Sequence, residues 1–208
     1  MTDNRFDDRM AWSLEMQQRH AIDIYNRYWD LDRVIEVDKA GDDGDETMQV
    51  LDYSGIDKIL ITETGHQIHI AQRFRQPYYT DQSGWTDADF SLRFKSYTDS
   101  HVEYQKLIDA YTGAGTIPSV YGFGRTVQGR QPAREKGFKE FYLIDLGAFI
   151  DNHIEGNIQI IDKKPNGDGS VGAYFDLSEL RREGCILREY DFTRPKQPHD
   201  ITAWGDSA

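Results

Sequence analysis

Between Leu51 and Arg75 the chain carries its strongest constraint on folding. Two β-type runs, Ile56 to Thr62 and Gln67 to Arg75, flank the turn residues Glu63-Thr64-Gly65-His66. Ile68 and Ile70 alternate with polar positions, Ile59 and Ile61 fall at the same two-residue spacing, and a glycine sits in the connection. Period-two alternation across a glycine-containing turn predicts a β-hairpin. The rest of the fold has to accommodate that antiparallel pair.

The surrounding elements alternate between helix and strand. Ala11 to Trp29 has Ala11, Ile22, Tyr25 and Trp29 at helical spacing, uninterrupted by Pro or Gly, and predicts a helix. Val34 to Val37, Met48 to Leu51, Asp89 to Phe94, Ser119 to Arg125, Phe141 to Asp145, Ile158 to Ile161 and Val171 to Phe175 read as further strands. His101 to Thr112 predicts a second amphipathic helix, with Ser100 ahead of it and Gly113 as its stop. A short helix starts at Asp176 or Ser178 and ends near Gly184, with a turn at 165–167 before it. No repeat divides the 208 residues, so one domain is expected, with a core over about 10–150, a C-terminal β/α extension over 151–190 and a loose tail over 191–208. The expected class is α/β, a mixed β-sheet flanked by helices.

Composition narrows the setting. The chain has one cysteine, Cys185, which excludes a disulfide framework and a cysteine-based zinc cluster. It has no apolar run of membrane-span length, and its first residues lack the pattern of a signal peptide, so a cytoplasmic protein is expected. A net charge of −12 runs against a generic nucleic-acid binder. Asp outnumbers Glu by more than two to one, the bias of a halophile's acidic surface, in which case net charge says little about partners. Both an ordinary acidic protein and one from a halophilic archaeon or its virus fit this bias. Asp38 to Glu46 concentrates the acidity in a loop, whereas Arg73, Arg75, Arg93, Lys95 and Arg125 lie in strand-like segments.

Gly55-Ile56-Asp57 on the first hairpin strand and Ala71-Gln72-Arg73-Phe74-Arg75 on the second resemble the heart of the PD-(D/E)XK nuclease superfamily. There, a strand bearing Asp is followed by a hairpin partner bearing (D/E)-x-K. The Asp89-Phe90-Ser91-Leu92-Arg93-Phe94 and Val120-Tyr121-Gly122-Phe123 segments add to the likeness, which covers about residues 10–150. The resemblance implies a restriction-endonuclease-like core, DNA as partner, and Mg²⁺ as cofactor. Mg²⁺-assisted phosphodiester cleavage uses carboxylates to hold the hard cation and a nearby Lys or Arg to offset phosphate charge. Carried onto this chain, Asp57 holds the metal, Gln72 orients metal or water, and Arg73 stands at the usual Lys. Glu15 from the first helix is a candidate second carboxylate, and Asp52 a candidate metal ligand. Arg75, Arg93 and Arg125 are candidates for backbone contacts to nucleic acid. The chain departs from the motif where the second acid belongs: Ala71 has no oxygen, Gln72 has only an amide, and an arginine cannot shuttle protons.

Strand parity leaves two arrangements open. A regular hairpin centred on Thr64-Gly65 sets Asp57 opposite Gln72 and turns Arg73 to the other face. A one-residue shift reverses this and sets Arg73 beside Asp57, as the family pattern asks. Other features have bland readings: His66 and His69 as surface histidines rather than a metal pair, Gly122-Phe123-Gly124-Arg125 as too short for a phosphate loop, and Arg125 to Lys139 as a flexible basic loop. The expected function is a metal-dependent nuclease acting on DNA. Its rival is a catalytically inactive relative serving as a nucleic-acid-binding or structural protein of a virus or mobile element. Either leaves room for an oligomer.

Overall fold

The structure, a computed structural model, describes residues 11–37, 46–75, 89–95, 103–113, 117–127, 129–165 and 170–193. The first helix, α1 (residues 11–29), contains a π-helical turn over Gln17–Ala21 before its last stretch, Ile22–Trp29. The buried residues show the effect of that turn. Trp12 to Met16 is a four-residue step, Met16 to Ala21 a five-residue step, and Ala21 to Tyr25 four again. The widened turn adds one residue to the repeat and rephases the helix. The expected stripe through Ala11, Ile22, Tyr25 and Trp29 is therefore kept only in part: Tyr25 is buried and Trp29 packs on the core, but Ala11 is exposed, and Trp12, Met16, Ala21 and Ile24 join Tyr25. α1 stops at Asp30, whose φ of 48° lies in the left-handed region that Asp tolerates.

The chain continues through β1 (Leu31–Glu36), α2 (Glu46–Tyr53), β2 (Lys58–Thr62), β3 (Gln67–Arg75), β4 (Asp89–Lys95), α3 (Glu103–Tyr111) and β5 (Val120–Thr126). After these come α4 (Arg130–Lys136), β6 (Phe138–Asp145), α5 (Leu146–Ile154), β7 (Asp162–Pro165), β8 (Val171–Asp176), α6 (Leu177–Arg182) and β9 (Ile186–Asp191). The main sheet has six strands in the order β1-β2-β3-β5-β6-β9. Its neighbours are antiparallel except β3 and β5, which run parallel, and α3 lies in the connection between them. β4, β8 and β7 form a second, antiparallel sheet. The class is mixed α/β, with helices flanking a mixed sheet.

Both faces of the main sheet are covered. Under α1, Leu60, Ile70, Phe74, Phe141 and Leu143 pack against Trp12, Met16, Ile24 and Tyr25. On the opposite face, Ala71, Tyr121, Phe123, Tyr142 and Ile144 meet Phe90, Leu92, Ala173 and Phe175 of the second sheet and Phe149 and Ile150 of α5. Burying each large aromatic or aliphatic side chain contributes about 1.5–3 kcal/mol. Of two glycines in β5, Gly122 allows α1 its close approach and Gly124 makes room for the Phe138 ring of β6. A Cβ on Gly122 would lie 2.2 Å from Tyr25 Oη, and one on Gly124 2.5 Å from the Phe138 ring.

Several expectations need correction. Met48 to Leu51 belongs to the helix α2, since its apolar residues sit in a helical rather than an alternating context. The stretch from Arg125 to Lys139 is not simply a loop: it holds α4, stopped at Gly137, and the start of β6 at Phe138. Ile158 to Ile161 precedes a strand, and β7 begins at Asp162. β7 and β8 lie in the second sheet and β9 in the main sheet. Among the described residues, no helix is long and apolar enough to cross a membrane.

Candidate functional site

The β2–β3 turn decides which side chains meet. Gly65 takes φ +83°, its N–H donates to Thr62 O (2.8 Å), and Thr62 N–H donates to His66 O (3.0 Å). Three residues, 63–65, thus close the hairpin, with glycine at the position that needs positive φ. The resulting register pairs Lys58 with Ile70 and Leu60 with Ile68. Continued by one residue it sets Asp57 level with Ala71, not Gln72, so the regular pairing expected around Thr64-Gly65 is off by one. Alternation then gives Ala71, Arg73 and Arg75 one face, and Ile70, Gln72 and Phe74 the α1 face.

Asp57 sits where β2 begins. Its N–H donates to Ile70 O (2.9 Å), its carbonyl accepts from Val37 N–H (3.1 Å), and its Oδ2 accepts from the backbone N–H of Gln72 (2.7 Å). The Gln72 side chain leaves this carboxylate for the other side of the sheet. There Gln72 Nε2 donates to Gln17 Oε1 (2.8 Å), Tyr25 Oη donates to Gln72 Oε1 (3.2 Å), and Gln17 Nε2 donates to Glu36 Oε1 (2.9 Å). The other oxygen of Glu36 pairs with buried Lys58. This buried chain of donors and acceptors satisfies each of its members, as buried polar groups require. The π turn of α1 is what brings Gln17 to the sheet.

On the Asp57 face, Arg73 Nη2 donates to Glu103 Oε1 (2.6 Å), and the second oxygen of Glu103 accepts from Arg93 N–H (2.7 Å). Arg75 Nη2 donates to Ser91 Oγ (2.8 Å). Burial works against the charge on Arg73, but Glu103, Tyr121 and Asp57 outweigh it and push its proton affinity up. Arg75 is shifted down, by burial and by the neighbouring positive charge of Arg73. Tyr121, buried beneath them, is pushed up by desolvation and by Glu103, and Tyr25 by desolvation and by Asp57.

No family model, curated protein or solved structure matches this chain.

The remaining candidates are placed as follows. Glu15 pairs with Arg134 of α4, not with the Asp57 cluster. Asp52 lies in α2, with its side chain outside the described residues. Arg125 pairs with Glu140 and lies over the Tyr142 ring (5.8 Å to the centroid), so its guanidinium, like that of Arg75, is engaged within the protein. Arg93 keeps an exposed side chain on β4.

Two functional candidates escaped the sequence. Glu103 lies three residues after Ser100, the spacing of a capping box, which offers it a local use. Gln17 is hidden because only the π turn turns it inward.

A divalent cation needs several hard oxygen ligands converging on one point. Among the described residues, no group of three His, Cys, Asp or Glu side chains does so. On the face of Asp57, β3 offers Ala71 and Arg73 where oxygens are needed, and Glu103 already has both of its oxygens occupied. These donors do not fit Mg²⁺.

Proposed function

We propose that the chain is a non-hydrolytic relative of the PD-(D/E)XK nucleases, with a restriction-endonuclease-like core, that works as a binding or structural protein. One observation carries this reading. The only oxygen-bearing side chain in the Ala71-Gln72-Arg73 segment, that of Gln72, faces away from Asp57 and is committed to Gln17 and Tyr25. Phosphodiester hydrolysis by a bound metal has no second carboxylate from β3 to use. Engagement of Arg75 and Arg125 within the protein leaves Arg93 as the exposed member of the expected DNA-contacting set, which favours a protein or structural partner over a phosphate backbone.

The second reading, a metal-dependent nuclease, draws on a different observation: Asp57 and Arg73 share a face, as the motif asks, and α3 adds Glu103 to it. Plasmid cleavage at high salt with Mg²⁺ or Mn²⁺ separates the two. The expected result is intact plasmid with wild type and with Asp57→Ala alike. Cleavage by wild type that Asp57→Ala abolishes defeats the non-hydrolytic reading. Gel-shift titration of the same proteins then reads whether DNA is bound at all.

A further inference from the structure

The Asp57 face holds a balanced set of partly buried charges. Arg73 and Arg75 are successive same-face residues of β3; Glu103 pairs with Arg73, and the β2–β3 register, with the Gln72 N–H bond to its carboxylate, sets Asp57 on that same face beside Arg73. Two positive charges meet two negative ones, the balance that one divalent ion would give between the same carboxylates. The arrangement also does what a structural metal does, since it ties separate elements together. Arg73 from β3 holds Glu103 at the start of α3, and Glu103 holds the backbone of β4 at Arg93. Arg75 reaches the same strand at Ser91, whose side chain is buried. A guanidinium is suited to this task because it stays charged and presents several donors in fixed directions.

We infer that Arg73 is the resident cation of this centre: it fills the place a divalent metal would take beside Asp57 and Glu103, making the fold independent of metal and keeping metal out. This rests on the non-hydrolytic reading of the site and goes beyond it. It implies that removing the guanidinium charge uncovers a two-carboxylate site able to take up a divalent cation.

The test uses the full chain, MnCl2 as the probe and thermal unfolding as the readout, independent of any nucleic acid. Wild type should melt at the same temperature in EDTA and in Mn²⁺. Arg73→Gln should melt below wild type in EDTA and regain about 2–4 °C once Mn²⁺ exceeds its Kd several-fold. That gain should vanish in Arg73→Gln/Glu103→Gln and in Arg73→Gln/Asp57→Asn. If Arg73→Gln does not fold in EDTA, it is refolded with and without Mn²⁺: recovery with Mn²⁺ supports the inference, and failure in both overturns it. A folded Arg73→Gln that ignores Mn²⁺ overturns it, as does a wild-type Mn²⁺ shift that Asp57→Asn removes. Plasmid cleavage by wild type would instead overturn the functional reading, so the two failures are told apart.

Discussion

The backbone N–H of Gln72 donates to the Asp57 carboxylate at 2.7 Å, while the Gln72 side chain lies on the other side of the sheet. Asp57 is thereby fixed as the acceptor that closes the start of the hairpin. Asp57→Ala leaves that N–H without its partner and removes a counter-charge from Arg73. It should cost about 1–3 kcal/mol in chemical denaturation. Asp57→Asn, which keeps an acceptor oxygen, should cost less. Equal stability of all three proteins would show that the bond carries no weight.

Gly122 and Tyr25 form a second linked pair. Gly122→Ala places a methyl group 2.2 Å from the Tyr25 hydroxyl and 3.3 Å from Phe141, so α1 must shift. Overpacking of this kind costs about 1–3 kcal/mol. Tyr25→Phe frees space but deprives Gln72 of a donor. The double variant should therefore be more stable than the sum of the single losses predicts, with coupling of about 0.5–3 kcal/mol in a double-mutant cycle.

Lys58 is almost wholly buried and Glu36 only partly so, with side-chain exposures of 2% and 22%. Lys58→Met leaves a carboxylate whose remaining partner among the described residues is the Gln17 amide. The loss should fall at or below the lower end of the range for breaking a buried pair, about 3 kcal/mol, because water reaches Glu36. Lys58→Met/Glu36→Gln should recover part of it. Urea unfolding midpoints measure both.

Cys185 is buried, and burial, then the charge of Asp145, push its thiol up to about 11. Above the ordinary thiol pKa the unfolded chain releases this proton while the folded chain keeps it. The stability contribution is whole below that range and is lost as pH rises toward 11. Thermal melts should show a decline over this window that is shallower in Cys185→Ala. Tyr25, Tyr121, Tyr104, Tyr142 and Tyr190 shift in the same direction and add to the alkaline loss in both proteins. At pH 8 the native thiol should resist iodoacetamide and react on unfolding.

The sequence displays α1 and the β2–β3 hairpin clearly, because both rest on local periodicity. Phase and register are harder to read. Ile22 and Trp29 have the right spacing for a regular helix, but the extra residue in the Gln17–Ala21 turn arises from packing on the sheet. A turn centred on Thr64-Gly65 sets Asp57 against Gln72 and a one-residue shift sets Arg73 beside it; left-handed Gly65, closing a three-residue loop, gives the shift. α5 follows β6 without a break; its only local marker is Asp145, which accepts from Ala148 N–H at its start. β9 has a mixed burial pattern because it lies at the sheet's edge. The Arg73–Glu103 contact joins residues 30 apart, a distance at which side-chain type alone offers no signal.

The place of β9 bears on how the chain can be made. It zips onto β6, while β8 sits between β4 and β7 in the layer beneath. A nascent chain emerging from the ribosome can assemble the hairpin and α1 early, yet β6 keeps a bare edge until Asp191 has been synthesised. Until then the growing polypeptide presents an open strand to its neighbours, and the six-stranded sheet is complete only with that zip.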